Sequence, residues 1–310
     1  MQFGLSEEQT LLQENINRFL NDQVPLDALR AYADGGDDRT IWQGLTDLGI
    51  AALLVPEEHG GIGLQPLDAA IVAESLGYHV APAPFLGSAV MAPTALTLAS
   101  GDFSTLLGEL AGGSTRIGIA FGEAIGRRAD AAVAADNGKL NGKSLFAFDA
   151  DADHYLVADS KRHLYLVDAA DLERKPLTTV DKSRRTVELT YDDTPATLVS
   201  NDIEVFHQTL DIGRVTLAAD TLGAGLENGV FSDQIFVFLQ TLREYFDKFI
   251  NGRFPSLGQI RGHPADPEPG GVHSSTGDKF DNIENHLPFA KSIEIRRHGP
   301  DVVGIGRKPD

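Results

Sequence analysis

The chain has 310 residues, which leaves room for two or three domains with cores of their own. Its hydrophobic fraction of 42% and charged fraction of 23% are those of an ordinary globular protein. There are 45 acidic against 26 basic residues, a formal charge of -19, which argues against a sequence-independent nucleic-acid binder because phosphate neutralisation needs clustered Lys and Arg. No cysteine is present, so disulfides, Cys-ligated metals and thiol nucleophiles are excluded.

The first residues carry neither a basic segment nor an apolar h-region, and no apolar run approaches the length of a membrane span. The expectation is a soluble, cytoplasmic protein with no membrane span and no nucleic-acid partner. Residues 1–112 read as a helical domain. Ser6-Glu7-Glu8-Gln9 is a capping box, followed by Leu12, Ile16, Phe19 and Leu20 at helical spacing. Thr40-Ile41-Trp42-Gln43 repeats the box, with Ile41, Leu45 and Leu48 on one face and Gly49 as the stop. Val55-Pro56-Glu57-Glu58-His59-Gly60-Gly61-Ile62-Gly63 is a turn. Further helices are expected over about 68–76, 87–99 and 103–111, with Pro82 and Pro84 separating the first two.

From Gly113 the texture changes. Short β-like runs at 117–121, 131–134, 140–148, 154–158, 163–167, 186–191 and 196–199 alternate with turn residues, which predicts a compact β-barrel or sandwich over 113–202. Helical periodicity returns from Ile203, with Val205, Leu210, Ile212, Val215, Leu217 and Leu222, and a second apolar helix is expected over about 231–250. Residues 203–252 therefore read as an incomplete helical bundle and 253–310 as an irregular or disordered tail, rich in Gly, Pro, His and Asp. The fold class expected is multi-domain α+β: helical domain, β-barrel or sandwich, partial bundle.

This order, with these segments, resembles the acyl-CoA dehydrogenase family, in an actinobacterial-type version diverged or truncated at its C-terminus. Leu5-Ser6-Glu7-Glu8-Gln9 looks like the family's opening helix, and Leu48-Gly49-Ile50 leading into Val55–Gly63 is similar to its best-marked turn. Glu74-Ser75-Leu76-Gly77 followed by Ala81-Pro82-Ala83-Pro84-Phe85-Leu86-Gly87 resembles a version common in actinobacterial members. Asn141-Gly142-Lys143 with Phe146, closed by Ala152-Asp153, resembles the flavin-side hairpin, and 181–189 a family turn and strand. The resemblance covers roughly 4–224.

The resemblance implies FAD lying between barrel and bundle, an acyl-CoA substrate, and a glutamate that removes the α-proton while hydride leaves the β-carbon for the flavin. It also implies an electron-transfer flavoprotein as oxidant and a homo- or hetro-oligomer in which a neighbouring subunit holds part of FAD. On it, the cofactor-binding candidates are Phe121, Glu123, Phe146, Arg243 and Phe246. The family's flavin loop carries a Thr-Glu-Pro step and then Gly-Ser-Asp, where this chain has Phe121-Gly122-Glu123-Ala124-Ile125-Gly126-Arg127-Arg128, keeping only Glu123. Arg243-Glu244-Tyr245-Phe246 matches a bundle motif at Arg243 and Phe246, with Tyr245 in place of a glutamine. Glu227 and Glu244 are the carboxylates of the remaining bundle helices, and neither stands in a catalytic motif, so the base is unassigned. Truncation, a shifted reading frame and a remodelled subunit each account for the C-terminal departure.

Other residues carry a plain reading beside a sharp one. His59 reads as a polar turn residue rather than a ligand contact, and Glu74 as a partly buried carboxylate paired with an arginine or a backbone group rather than a base. Arg127-Arg128 reads as a solvated pair against a CoA-phosphate clamp, and Arg184-Arg185 as ion-paired to Asp181 against a cofactor or subunit contact. Asp149, Asp151 and Asp153 read as solvated turn carboxylates, since the rest of a calcium loop is lacking. His263, His273, His286 and His298 have no zinc-site spacing, and Phe231, Phe236, Phe238, Tyr245, Phe246 and Phe249 read first as core.

Overall fold

The computed structural model describes residues 4–126 and 131–227. Its N-terminal part is helical: α1 Glu7–Gln23, α2 Leu26–Ala33, α3 Arg39–Asp47, α4 Pro66–Tyr78, α5 Ala92–Thr97 and α6 Ser104–Ala111. The capping box opens α1 as read: Ser6 Oγ accepts from Gln9 N–H at 3.1 Å while Gln9 Oε1 accepts from Ser6 N–H at 3.1 Å. The second box does not form. α3 starts at Arg39 behind Asp38, and the Asp38 side chain caps nothing because both of its oxygens are held by Arg116, at 2.7 and 3.0 Å. Gly49 does stop the helix, at φ 83°.

The helix expected over 87–99 is a π-helical stretch, Phe85–Met91, running into α5. Pro93 has no N–H, and in a regular α-helix its ring would strike the carbonyl four residues back. The turn before it is widened instead, and Ala92 N–H donates to Gly87 O, five residues back. Within this stretch the buried Ser88 Oγ accepts from Ile117 N–H at 3.0 Å, which fixes the helix against the start of the sheet.

Eight strands form one mixed sheet among the described residues: β1 Ile117–Ala120, β2 Val133–Asp136, β3 Lys139–Phe148, β4 His154–Ala158, β5 Leu164–Asp168, β6 Glu173–Pro176, β7 Thr186–Pro195 and β8 Thr197–Ser200. The order is β6-β7-β3-β1-β4-β5-β8, with β2 on β3. β1 and β4 are parallel and the other pairs antiparallel. β7 and β5 stand on opposite sides of β3, β1 and β4 in that order, yet Val187, Leu189 and Tyr191 share one core with Tyr165 and Val167. The sheet is therefore curled around an inner core, as the short alternating runs predict.

The other face carries Ile117, Ile119, Leu156 and Leu164, which pack on Leu86, Met91, Leu96, Leu107 and Phe206. Each such fully buried side chain contributes roughly 1.5–3 kcal/mol over an exposed one. Helix α8, Ile203–Glu227, packs its first half on that core and, through Ile212 and Ala219, joins the core of α1, α3 and α4. It crosses α4 at two glycines. A Cβ on Gly77 would lie 1.9 Å from Asp220 O, and one on Gly223 1.9 Å from Glu74 O. No described helix is long and apolar enough to cross a membrane.

Candidate functional site

Two features at opposite ends of one stretch of β3 define the candidate site. Where β3 meets β7, Ser144 pairs with Leu189 and Ala147 with Val187, so β3 holds one residue more than β7 between them. This is a β-bulge, and it breaks the in–out alternation. Ser144 and Ala147 both point into the inner core at 0% exposure, while Leu145 is half-buried and Phe146 is 47% exposed. A short helix after β1, α7 Gly122–Ile125, lies against β3 here and adds Ile125, 52% exposed. Glu123 bridges the two, its Oε1 accepting from Leu145 N–H at 2.9 Å. Phe121, before α7, is buried and stacked on Phe206 with ring centres 5.6 Å apart.

The other end of β3 is a closed cluster of charges. Arg116 donates to Asp38 at 2.7 and 3.0 Å and to Asp149 at 3.0 and 3.1 Å, with side-chain exposures of only 14%, 6% and 11% for Arg116, Asp38 and Asp149. Asp149 has φ 66°, a left-handed conformation that Asp tolerates through local hydrogen bonding. Its N–H donates to Arg185 O, its carbonyl accepts from Tyr155 Oη, and its carboxylate also accepts from Asp151 N–H. Burial pushes the Asp149 carboxyl up, against the lowering effect of Arg116, and the nearby Asp38 charge pushes the same way as burial. Burial works against the Arg116 charge too, but its bonds to Asp38 and Asp149 outweigh it and hold the guanidinium above its ordinary value.

Arg185 adds a second arm. It pairs with Asp151 at 3.0 Å, donates to Gly36 O, and lies 4.5 Å over the Tyr32 ring. Burial, then Asp38, pushes the Tyr32 phenol up to about 12. Arg184 pairs with Asp220 of α8. Tyr32, Asp38, Arg116, Asp149, Arg184 and Arg185, with Leu86, Ile117, Ile119 and Phe148, line a cleft. Among the described residues each arginine of the cleft is paired: Arg116 with Asp38 and Asp149, Arg184 with Asp220 and Arg185 with Asp151.

These contacts correct two readings of the sequence. Asp149 is not solvated but largely buried against Arg116, whereas Asp151 and Asp153 are exposed as read and in addition hold Arg185 and, through Asp153 Oδ2 at 2.9 Å, the Arg116 backbone N–H. Nor do Arg184 and Arg185 pair with Asp181, whose carboxylate accepts from the Ser183 N–H and hydroxyl. Glu74 is half-buried and desolvation pushes its carboxyl up; neither the arginine nor the backbone partner read for it is found among the described residues. His59 sits in a single helical turn, Glu57–His59. No group of acidic or histidine residues able to hold a metal ion occurs among the described residues. Arg127, Arg128, Arg243, Glu244, Tyr245, Phe246 and the four tail histidines lie outside them. Sequence reasoning missed Arg116, Asp38 and Leu145; the only signal was an Arg directly before a strand.

The flavin that the resemblance implies can be tested against this arrangement. An isoalloxazine needs an apolar surface for its ring and hydrogen-bonding groups along its pyrimidine edge. Phe146, Leu145 and Ile125 would offer such a surface, and a Cβ at Gly122 would meet nothing within 4 Å, so the main chain there is open to close approach. Residues 121–126 carry no hydroxyl, and one Glu123 oxygen is already engaged, which leaves main-chain groups for the polar edge. The residues present fit the ring.

Comparison with known proteins gives a consistent picture. The family described as acyl-CoA dehydrogenase, N-terminal domain, matches residues 6–102. Acyl-CoA dehydrogenase IpdE2 of Mycobacterium tuberculosis is 30% identical over 224 residues, which are 70% of this chain and 60% of that protein. The chain thus spans about 60% of the length of this relative. Among solved structures, the Tcur3481-Tcur3483 steroid ACAD G363A variant superposes with a TM-score of 0.62 at 28% identity, covering 70% of this chain and 63% of that one. The ChsE4-ChsE5 complex from Mycobacterium tuberculosis, at 22% identity, shares the fold with a TM-score of 0.65 over 81% of this chain and 75% of its own.

Proposed function

This chain belongs to the acyl-CoA dehydrogenase family, and from that premise we propose that it is a flavoprotein subunit serving the FAD-dependent α,β-dehydrogenation of an acyl-CoA thioester. The observation that carries this reading is the bulge in β3, which turns Leu145 and Phe146 outward beside Ile125 at the position of the family's flavin-side hairpin. Phe146 and Ile125 offer the ring an apolar wall and keep water from that side, while Phe121, locked on Phe206, anchors the loop from within the core. Arg243 and Phe246 complete the proposed cofactor set from the bundle. The chemistry that FAD supplies when bound is acceptance of a hydride.

The substrate class is a fatty-acyl or steroid-side-chain CoA thioester, supported by the steroid ACAD among the similar structures. An electron-transfer flavoprotein is the proposed oxidant, an oligomer the working form and the cytoplasm its place. The three-part division at 112 and 202, with a partial bundle to 252, stays part of this proposal. The purified protein is expected to be yellow, and its flavin bands to bleach anaerobically on addition of acyl-CoA. A folded, colourless protein that takes up no added FAD sinks the reading.

A second reading rests on the loop at 121–126, which has no hydroxyl donor. In it the chain is the non-catalytic partner in a two-chain dehydrogenase, and the other chain supplies the flavin's polar contacts and the proton-abstracting glutamate. The complex named for the ChsE4-ChsE5 structure is compatible with it. Co-purification with a second dehydrogenase chain and no turnover alone supports this reading; turnover by the isolated chain defeats it. Consumption of oxygen instead of reduction of an electron-transfer flavoprotein would place the chain with the acyl-CoA oxidases or flavin monooxygenases that share the domain order.

A further inference from the structure

We propose that Glu123 is a positioning residue: by accepting the Leu145 N–H at the β-bulge it fixes the Phe146 ring as the surface on which the flavin rests. The inference deepens the FAD reading and rests on it. Glu123 was a candidate for direct cofactor contact; its geometry assigns it a different task.

The argument starts from the bulge. One extra residue in β3 between Ser144 and Ala147 makes the ladder to β7 irregular, and on the side of β3 away from β7, where Lys143 N–H donates to Ala132 O, the Leu145 N–H must also find an acceptor or remain unsatisfied. Glu123 Oε1 supplies that acceptor at 2.9 Å, across 22 residues of sequence. The bond joins α7 to β3 at a residue adjoining Phe146. With Ser144 and Ala147 buried on either side, the direction of Leu145 and Phe146 is set by how the bulge closes, so holding the Leu145 amide also holds the aromatic ring. An amide–carboxylate hydrogen bond is among the stronger kinds, because the acceptor is charged. A carboxylate engaged in this way is poorly placed to serve the flavin edge, where the carbonyl oxygens of the ring require donors.

The test uses the full-length chain and two variants, Glu123→Ala and Glu123→Gln. The amide oxygen of Gln can still accept from Leu145, so it restores the bond without the charge. Amide hydrogen exchange over residues 144–147 reads the bond directly and needs no flavin. Exchange there is expected to speed up in Glu123→Ala and to stay near wild type in Glu123→Gln. FAD is then titrated into each protein and followed by the quenching of flavin fluorescence. Glu123→Ala is expected to bind about tenfold more weakly, equivalent to ~1.4 kcal/mol, and Glu123→Gln within about twofold of wild type. Unchanged exchange in Glu123→Ala overturns the inference whatever the flavin does. Faster exchange with unaltered FAD affinity overturns it as well, leaving Glu123 as a local brace. If wild type takes up no FAD while exchange responds as expected, the parent reading fails and the platform role with it. Equal weakening in both variants points to direct contact through the charge and also refutes a positioning role.

Discussion

The two ends of the outer part of β3 lie only a few residues apart and are finished in opposite ways. At Phe148-Asp149 the strand runs into a left-handed turn where Arg116 is clamped between two carboxylates and largely withdrawn from water. At Leu145-Phe146 the strand bulges, its side chains turn outward, and the Glu123 carboxylate of α7 takes the Leu145 amide. Both ends use an acid to hold a strand terminus or irregularity, yet only the second leaves an apolar surface open. Charge that is mutually paired closes a region; a carboxylate spent on the backbone can keep one open.

The comparison is broken most severely at the closed end. Arg116→Ala leaves Asp38 and Asp149 buried without their counter-ion, and removal of one partner from a buried pair costs about 3–5 kcal/mol. A denaturant titration of wild type and variant measures it, as a lower midpoint at constant slope. A loss under about 1 kcal/mol, the range of a surface pair, would mean that the cluster is hydrated and not closed. Because α2 and the start of α3 reach the sheet through Tyr32 and Asp38, the loss is expected to appear as loosened packing of α2 and α3 while FAD uptake at the open end survives.

Asp149→Asn is a milder break, expected to cost about 1 kcal/mol, the net worth of a typical hydrogen bond. Asn tolerates the left-handed backbone and retains one acceptor. Its pH dependence carries the sharper test. The folded-state carboxyl of Asp149 is raised above the ordinary value of 3.8, mainly by burial. Stability from the proton it holds is therefore fully present below the unfolded value and lost as pH rises through the raised folded one. Asn does not titrate, so the gap between wild type and Asp149→Asn should narrow as pH rises from below 3.8 through that window. A widening gap would mean that Arg116 wins over desolvation, and would reverse the sign argued for this site.

Much of the scaffold was legible because local chemistry determined it. The Ser6 box, the stop at Gly49 and the strand at 154–158 each depend on neighbours within a few residues. The failures share a cause in tertiary contacts. Thr40 looked like a cap because nothing in the sequence said that Asp38 belonged to an arginine 78 residues away. Asp149 looked solvated because its arginine partner lies 33 residues off. α2 was missed since Leu29 and Tyr32 are its only large apolar side chains turned inward while Leu26 is 60% exposed, and β6 was missed because all four of its residues are exposed and show no alternation. The bulge was invisible, since one extra residue in a strand leaves composition and run length unchanged. Phe146 was placed at the flavin by resemblance, but that it points outward follows only from the register with β7.

The open end is probed by Phe146→Ala, the smallest change and the one nearest to function. At 47% exposure the ring contributes little to the folded core, so the unfolding midpoint should stay within about 0.5 kcal/mol of wild type, the range of ordinary surface substitutions. Flavin binding should respond. Aromatic stacking is worth ≈ 0.5–1.5 kcal/mol beyond the area covered, which predicts FAD affinity lower by roughly 2- to 12-fold. Phe146→Tyr retains the ring and should bind near wild type. The two measurements must separate for the comparison to hold: Arg116→Ala large in stability and silent in flavin affinity, Phe146→Ala the reverse. Were Phe146→Ala to destabilise the apoprotein as much as it weakens FAD, the outward ring would be part of the packing, and the bulge would be a second closed end.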